Sequence, residues 1–586
     1  MTFFPIFNWL RTYRRTDFNG DVFAGIITAI LLVPQGIAFA LLAGLPAQFG
    51  LYASILPPFI YAVLGTSRTL SVGPVSIAAI MVAGALQLPE IRALGNPLQS
   101  VVILSAESGA ILLMMAVCRM GGLVNFISHP VLTGFTSGAA LLIIGSQLPQ
   151  TLGLHSPTCG VEIGCYQSYL QATNLSTLAI SGLALCLLLF FGKPLSWLLS
   201  ISGVSPSLIV AIAKCGALVT VALTTFAVGH WDLTANHVAV VGEISAGLPH
   251  LSFDFIDIEK WKVLAPSACF IALIAYVESV AIAKVVANLR SEKIDPNQEL
   301  IALSFANFAT AISGGMPVAG GFSRTMVNFA AGARTQIAMV IAALILAVAV
   351  VFLTAWFANI PKAALAVIIL MAVLPLVKFK SLLHTWQYDL GDGIAELATL
   401  VSVVILGIEE GITLGIFLTF ASYLRKASHP HIAVVGRLPN TMHYRNIKRH
   451  QVETWEHLLL MRIDENMTFA NINFIEEFIE TQLHDAPKVK HIVLIFTSVS
   501  DIDTTALEAL EQINQSLINI GVSLNFAEVK GFLLDKVHRS DLFLQLNGQL
   551  FFDAEEAVTK LSLGMNTYEE NSLNNIRVSF NEHCHS

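Results

Sequence analysis

The chain has 586 residues, of which 55% are hydrophobic and only 12% are charged, and its mean hydropathy is +0.70. Soluble domains carry roughly 25% charged residues, so this composition excludes an ordinary soluble protein and predicts one that lies mostly in lipid. The net charge of −8 is unevenly spread: 12 of the 32 Lys and Arg and 21 of the 40 Asp and Glu follow residue 428. We therefore predict a membrane domain over 1–428, a soluble domain over 429–565, and a polar, disordered tail over 566–586.

A helix needs about 20 apolar residues to cross a bilayer core. No cleavable signal peptide is predicted, because the first twenty residues are aromatic and basic and lack an apolar core. Apolar runs predict fourteen segments, in chain order 21–42, 48–65, 70–88, 98–118, 126–150, 175–192, 206–228, 262–287, 297–313, 317–331, 335–358, 361–377, 393–408 and 410–424.

The loops between these segments give an independent check on their number. With fourteen segments, fourteen Lys and Arg residues fall on the side of the N-terminus and four on the other side. This satisfies the positive-inside rule when both termini are cytoplasmic. The loop 151–174 then lies outside, where Cys159 and Cys165 either form a disulfide or remain two unpaired thiols.

The soluble region alternates short apolar strands with helices, which is typical of a small sheet covered by helices. The pattern predicts strands at 457–463, 491–496, 522–529 and 550–552 and helices at 470–484, 503–518, 531–539 and 553–562.

Two membrane segments are interrupted by glycine and proline at matching positions. TLSVGPVSIAAIM (69–81) has Gly73-Pro74 before a helix, and GGMPVAGGFSRTMVNFAAG (314–332) opens a half-helix at about Gly321. Each is the third segment of a seven-segment half, which favours an inverted repeat, and such segments mark the binding site in secondary transporters. Two half-helix starts that face each other supply unpaired N–H groups and positive dipole ends for an anion. The alternative is that these motifs only kink packed helices.

Ionisable side chains within the membrane segments sharpen the anion hypothesis. Arg324 lies in the first turn of the second half-helix, and burying an Arg at this depth costs about 2.5–3.5 kcal/mol or more, so such residues are usually functional or paired. Its alternatives are a snorkelling side chain and a strut paired with a buried carboxylate. Glu278 can change its protonation state and act as a proton-coupling group, or serve instead as a partner of Arg324 or a sodium ligand. Glu107, Lys214 and Glu396 are interpreted as structural.

The first segment contains ILLVPQGIAFALLAG, in which Pro34 is expected to break the helix. Gln35 and Phe39 then lie on one helix face, four residues apart, where an amide donor and a ring edge can both face an anion. Helix packing around a proline kink is the alternative interpretation.

Three stretches together resemble SulP-type anion transporters, the sulfate permease family. They are PQGIAFALLAGLPAQFGLYASILPPFIYAVLGTSRTLSVGP (34–74), YVESVAIAKVVANLRSEKIDPNQELIALSFANF (276–308) and GGFSRTMVNFAAGARTQ (320–336). The resemblance implies fourteen spans in a seven-plus-seven inverted repeat with core and gate bundles, an elevator-like motion, homodimers and a C-terminal STAS domain. It also implies a multi-pass protein of the plasma membrane, the inner membrane of the cell.

The resemblance also implies roles for particular residues. The substrate shell would consist of side chains and backbone from both half-helix starts and the first segment, namely Gln35, Phe39, Gly73, Pro74, Val75, Gly321, Phe322 and Ser323, with Arg324 beside the anion. Glu278 falls at an acidic position associated with cation coupling. Because it is Glu where sodium-coupled bicarbonate members have Asp, the resemblance favours protons, with sodium as the alternative. Thr504, which follows Asp503, takes the place of a phosphorylatable residue of STAS domains.

The expected function is secondary active anion transport, with proton-coupled sulfate uptake as the leading hypothesis. Moving two negative charges inward against 100 mV costs about 4.6 kcal/mol, at about 2.3 per charge, so a divalent anion needs coupling. The alternatives are bicarbonate or C4-dicarboxylate transport, an uncoupled anion channel or exchanger, and a sensor that signals through a soluble partner of the STAS domain. No nucleophile–base or metal-ligand pattern predicts an enzyme or a metal site, and neither a cofactor nor nucleic acid is expected.

Overall fold

The computed structural model describes residues 4–563 except 126–127, 155–172, 203–208, 210–211, 214, 243 and 245–246. It divides into two compact units, residues 1–419 and 420–586. The cysteines at 159 and 165, the lysine at 214 and the tail 566–586, which all carry predictions, lie outside the described residues. The predicted domain bounds stay predictions.

The first unit is almost entirely helical, with two very short strands. Its first half contains α1 (Ile6–Leu10), α2 (Arg15–Leu42), α3 (Ala47–Tyr52), α4 (Leu56–Leu64), β1 (Val72–Gly73), α5 (Ser76–Gln87), α6 (Pro89–Arg92), α7 (Pro97–Val117), α8 (His129–Leu152), α9 (Leu175–Phe190), α10 (Lys193–Ile201) and α11 (Gly216–His230). Its second half contains α12 (Ile258–Leu289), α13 (Pro296–Ile312), β2 (Ala319–Gly320), α14 (Phe322–Ala330), α15 (Ile337–Phe352), α16 (Thr354–Ala358), α17 (Lys362–Val373), α18 (Phe379–Tyr388), α19 (Leu390–Ile405) and α20 (Ile408–Ser428).

Six helices or merged helix pairs of the described chain are long and apolar enough to cross a bilayer, and the bent pair of α9 and α10 makes a seventh. Shorter apolar helices, α5, α11 and α15, lie among them. The elements follow the predicted segments closely, so the helical polytopic fold is confirmed. The number of fourteen spans stays a prediction.

The helix α2 runs without interruption past Pro34, so the predicted break at this residue is wrong. A proline removes one backbone hydrogen bond from a helix and crowds the carbonyl four residues before it. The neighbouring turns keep theirs, and α2 packs along its length against α3, α14 and α15. Gly25 lies directly against the backbone of Ala338 on α15, where small residues allow close helix approach.

Residues in loops and at helix ends that the sequence assigns to one side of the membrane contact one another. Arg68 Nε lies 3.7 Å from Glu292 Oε1, which joins two loops on the predicted side of the N-terminus. On the predicted opposite side, Lys260 Nζ donates to Gln99 Oε1 at 2.6 Å. The predicted alternation of loops therefore agrees with these contacts. Which end faces the cytoplasm follows only from the positive-inside rule.

The second unit is an α/β domain built on a six-stranded sheet. The strand order is β4-β3-β5-β6-β7-β8, with β5 to β8 parallel and β3 antiparallel to both of its neighbours. Its strands are β3 (Ile432–Arg437), β4 (Tyr444–Asn446), β5 (Leu458–Ile463), β6 (His491–Ile495), β7 (Ser523–Ala527) and β8 (Leu550–Phe551). Its helices beyond α20 are α21 (Ile472–Asp485), α22 (Thr504–Asn519), α23 (Gly531–His538), α24 (Asp541–Gln545) and α25 (Ala554–Leu563).

Four predicted strands and four predicted helices of this unit are confirmed within a few residues. Strands β5 and β6 are buried on both faces, as expected for parallel strands covered by helices. Strands β3 and β4 were not predicted. The second of them is three polar residues long, too short for a recognisable alternation.

Candidate functional site

The two interrupted segments meet at a two-stranded antiparallel ladder inside the first unit. Val72 pairs with Gly320 and Gly73 with Ala319. The ladder is extended by Gly321, whose N–H donates to the carbonyl of Ser71 at 3.0 Å. Non-helical backbone at membrane depth needs partners within the protein, and here each broken segment supplies the partners of the other.

A half-helix begins within three residues of the end of each strand, as predicted. Helix α5 follows Val75 and α14 follows Gly321, and neither of these N-cap residues has a side-chain atom that could accept a hydrogen bond. At 1.5 Å per residue, their 12 and 9 residues span roughly 18 and 14 Å, well short of a 30 Å bilayer core. Because the ladder holds both starts together, two positive helix ends and their free N–H groups share one place in the fold.

Arg324 joins the second half-helix to the turn before the first. Its side chain is 1% exposed, and Nη1 donates to the carbonyl of Pro74 at 2.6 Å. This burial excludes the snorkelling alternative. The hydrogen-bond partner of Arg324 is a carbonyl, but Glu278 also attracts its guanidinium, so the strut alternative stays a hypothesis. Both Nε and Nη2 are buried without a hydrogen-bond partner among the described residues. Unpaired buried N–H groups of a cation are costly, so such groups mark a place where an acceptor would bind favourably.

Two glycines create the space beside this guanidinium. A Cβ atom at Gly73 would lie 3.2 Å from Nη2 of Arg324, and one at Gly321 would lie 3.0 Å from the same atom. Any larger side chain at these positions would therefore meet the unpaired end of the guanidinium. The two turns allow close approach to it from both half-helix starts.

Helix α12 supplies a second ionisable group beside the ladder. Glu278 and Arg324 attract each other electrostatically, and Oε2 of Glu278 is buried without a hydrogen-bond partner among the described residues. The next residue, Ser279, accepts a hydrogen bond from the N–H of Gly320 at 2.7 Å and so fixes α12 to the ladder. Glu278 thus belongs to the same region as the half-helix starts.

The remaining predicted residues lie around this centre in different environments. Gln35 and Phe39 are buried on α2, which packs against both α5 and α14. Val75 is buried in a small apolar cluster with alanines of α5, α12 and β2. Phe322 and Ser323 are exposed at the start of α14. The structure therefore brings together the backbone turns, Arg324 and Glu278, with α2 beside them.

Polar side chains that the sequence interpretation missed hold the two segments in place. Asn328 on α14 donates to the carbonyl of Thr69 at 3.0 Å, and Gln336 donates to the carbonyls of Ser67 and Leu70 at 2.8 and 3.0 Å. These bonds tie the loop before β1 to the segment after β2. Asn328 and Gln336 are isolated amides within otherwise apolar segments, and this pattern could have identified them in the sequence.

Two buried carboxylates anchor the same loops from the start of their helices. Glu299 on α13 accepts hydrogen bonds from the N–H groups of Thr66 and Ser67 and from the hydroxyls of Thr66 and Tyr61. Asp21 on α2 accepts equivalent bonds from Arg334 N, Thr335 N, Thr335 Oγ1 and Tyr13 OH. Each carboxylate connects a helix of one half to the loop of a broken segment in the other half.

Other predicted residues lie away from the ladder. Glu107 on α7 and Glu396 on α19 are buried, each with one oxygen that lacks a partner among the described residues. In the second unit, Thr504 is exposed as the first residue of α22, while the Asp503 side chain accepts from Ala506 N and Phe469 N. Within the described ranges, no group of three His, Cys, Asp or Glu side chains is placed to hold a metal ion.

Comparison with known proteins decides the family. The model of the sulfate permease family matches residues 18–399, and the model of the STAS domain matches residues 449–558. The chain belongs to the sulfate permease family. This permease-family chain is 33% identical over 537 residues to "Sulfate transporter 4.1, chloroplastic" of Arabidopsis thaliana, with 88% of the chain and 76% of the relative covered. It is 30% identical to "High affinity sulfate transporter 2" of Stylosanthes hamata, covering 95% and 86%.

Two solved structures of other transporters share the fold of this chain. The murine Slc26a9 anion transporter, solved in the inward-facing state, superimposes with a TM-score of 0.82 at 20% identity, covering 96% of this chain and 94% of that one. The transmembrane domain of the cyanobacterial bicarbonate transporter BicA gives a TM-score of 0.59 at 21% identity, covering 69% and 98%. The protein is a multi-pass membrane transporter for anions with a C-terminal STAS domain, and its relatives belong to transport families rather than enzyme families.

Proposed function

We propose that this permease-family member imports sulfate by secondary active transport coupled to protons. The observation that carries the proposal is the buried guanidinium of Arg324, which has unpaired N–H groups beside two facing half-helix starts. The names of the sulfate transporters at about 30% identity favour sulfate over bicarbonate or C4-dicarboxylates. The protein acts in the plasma membrane with both termini in the cytoplasm, as a homodimer whose half-helix bundle moves like an elevator.

In this proposal the anion is bound mainly by backbone. The N–H groups of Val75, Phe322 and Ser323 donate to it, and Arg324 supplies the positive charge. Gly73, Pro74 and Gly321 form the turns that position these groups. The side chains of Gln35, Phe39 and Ser323 complete the shell. Two helix dipole ends and one cation match a dianion without fixing its shape, so specificity comes from the shell side chains.

Glu278 is proposed as the proton carrier. Inward movement of sulfate against 100 mV costs about 4.6 kcal/mol, and each accompanying proton returns about 2.3 kcal/mol of that cost. Glu278 accounts for at most one proton per cycle, so sulfate uptake through this site remains sensitive to the membrane potential. Electrostatic attraction between Glu278 and Arg324 links the occupancy of the anion site to the protonation of the carboxyl group.

The test is uptake of radiolabelled sulfate into proteoliposomes, with and without an inward proton gradient, beside a panel of bicarbonate, chloride and C4-dicarboxylates. We expect Glu278→Gln to abolish acceleration by the proton gradient while exchange of sulfate for sulfate continues. Glu107→Gln is the matched control, because Glu107 is also a buried carboxyl group with one unpartnered oxygen. Unchanged gradient dependence in Glu278→Gln would refute proton coupling through this residue.

Two further variants test the site itself and the role of the second unit. Arg324→Gln removes charge-assisted hydrogen bonds worth about 1.5–3 kcal/mol each, so sulfate affinity should fall by roughly ten- to a hundredfold. Exposed Arg92→Gln is its control. A chain that ends at residue 428 should keep part of its sulfate flux if the protein is a transporter. A sensor would show no flux even in the intact chain.

A further inference from the structure

A cluster of three arginines surrounds a cavity at the end of the bundle that holds the N-terminus. The cavity measures about 150 Å³ and is lined by four segments that are distant in the sequence. These are the N-terminal segment around Tyr13, the loop after α4 with Arg68, the end of α12 with Arg290 and Glu292, and the loop after α14 with Arg334. A single water needs only about 10–15 Å³ on such a measure, so the cavity can hold an ion of several atoms together with water.

The three guanidinium groups are held near one another although they have the same charge. Arg290 is fixed by a hydrogen bond to the carbonyl of Ala333, and its guanidinium lies 4.6 Å from the ring centre of Phe329. Arg68 reaches Glu292 only at 3.7 Å, beyond hydrogen-bond distance. The guanidinium of Arg334 makes no hydrogen bond or ion pair with any residue in the described part of the chain.

The side chains that line the cavity carry more positive than negative charge. Burial lowers the pKa of Arg290; Glu292 and Asp21 oppose this shift, while repulsion from Arg334 and Arg68 adds to it. Besides Glu292, the lining contains one other carboxylate, Asp17. Its oxygen already accepts the N–H of residue 14. Three cations and two carboxylates thus line the cavity. Asp21 lies behind the lining, where its oxygens already accept from Tyr13, Arg334 N and Thr335. An anion between the three guanidinium groups would offset their mutual repulsion.

We propose that this cavity binds a tetrahedral oxyanion, as free sulfate or phosphate or as a phosphate headgroup, at a site separate from the transmembrane anion site. Guanidinium groups match the oxygens of such ions in bidentate pairs, and Arg68, Arg290 and Arg334 approach from three different segments. The bound ion would join the N-terminal segment to the loop that follows the second half-helix. This site lies on the cytoplasmic face when the N-terminus is cytoplasmic, and only that placement rests on the proposed function.

The proposal is tested by binding to the purified full-length protein in detergent. Thermal stability is measured during titration with sodium sulfate or sodium phosphate at constant ionic strength, with chloride as the replaced ion. Hydrogen exchange is followed in peptides that cover 9–17 and 332–336. We expect oxyanions to raise the stability and to protect both peptides. The effect should persist in Arg324→Gln, and Arg334→Gln should weaken it at least about tenfold, the loss of one charge-assisted pair.

Control variants distinguish a free oxyanion from a lipid headgroup as the ligand, and they keep the test valid if one variant does not fold. Arg92→Gln should titrate like the parent protein, and Arg334→Lys should recover part of the affinity. Arg68→Gln serves as the second test if Arg334→Gln does not fold. Stabilisation by nanodiscs with anionic lipid but not by free oxyanions, lost in Arg334→Gln, would support the site with a headgroup as its ligand. Equal titration of Arg334→Gln, Arg68→Gln and the parent protein, or loss of every oxyanion effect in Arg324→Gln, would overturn the proposal.

Discussion

Removing the carboxylate of Glu299 should destabilise the membrane unit, although Glu299 is not one of the residues proposed to bind the anion or the proton. In Glu299→Ala, two buried donors lose their acceptor, the N–H of Ser67 and the hydroxyl of Tyr61, and so do the partly buried N–H and hydroxyl of Thr66. Each unpaired buried donor costs about 1–3 kcal/mol, so the two buried donors cost roughly 2–6 kcal/mol, and the donors of Thr66 add to this. The Ala variant no longer has to bury a carboxylate, and the desolvation penalty avoided in this way offsets several kcal/mol of that destabilisation. We expect a net loss of about 2–4 kcal/mol.

Glu299→Gln provides the internal comparison, because its amide oxygen can still accept from both N–H groups while Tyr61 reorients to accept from the amide nitrogen. We expect the order of stability to be parent, then Gln, then Ala. The assay is denaturation of the purified full chain in detergent micelles, with exposed Glu90→Ala as the control. Sulfate uptake should fall in the same order, because residues 66–67 lead directly into the ladder. An Ala variant as stable as the Glu90→Ala control, or more stable than the Gln variant, would refute the reasoning.

Two other predictions concern a helix contact and the soluble domain. A Cβ atom at Gly50 would overlap the carbonyl oxygen of Gly36, so Gly50→Ala should separate α3 from α2 and lower both stability and uptake. The control is Gly84→Ala, because no atom lies within 4 Å of a Cβ atom at Gly84. This variant should be neutral or slightly stabilising in the same assays. Burial, aided by nearby positive charge, lowers the pKa of His491, whose ring contacts Ser523 at 2.6 Å. Its neutral form is therefore favoured in the folded domain, and the stability it provides is full above about pH 6.5 and declines as the pH falls below it. His491→Gln should flatten this decline, measured as hydrogen-exchange protection of β6 between pH 8 and pH 5.

The sequence predicted those features of the membrane unit that depend on local composition. Gly73-Pro74 and the glycines before Phe322 interrupt apolar segments, and interrupted segments must pair with other backbone when they lie in lipid. The half-helices and their common location followed from this rule. The parallel strands of the soluble domain could be predicted equally well. Short apolar runs between polar helices are typical of buried strands and are too short for buried helices.

The partners that hold the site could not be predicted, because they are distant in sequence. Asn328 bonds to Thr69 across 259 positions and Glu299 to Thr66 across 233. A sequence shows that such polar groups need partners but not which ones they choose. At Pro34 the sequence led to a wrong prediction. The proline predicted a broken helix, whereas α2 is continuous and packs against its neighbours. Packing outweighs the loss of one backbone hydrogen bond.

Because one ladder carries both half-helix starts, neither can shift alone without breaking backbone hydrogen bonds where no water replaces them. In the transport cycle proposed above, the site would therefore keep its shape whether it opens to one compartment or to the other. Its intrinsic affinity would then be the same at both faces, and the site itself would give transport no direction. Accumulation would depend on the ion gradients and the voltage alone, and with those reversed the same site would export the anion.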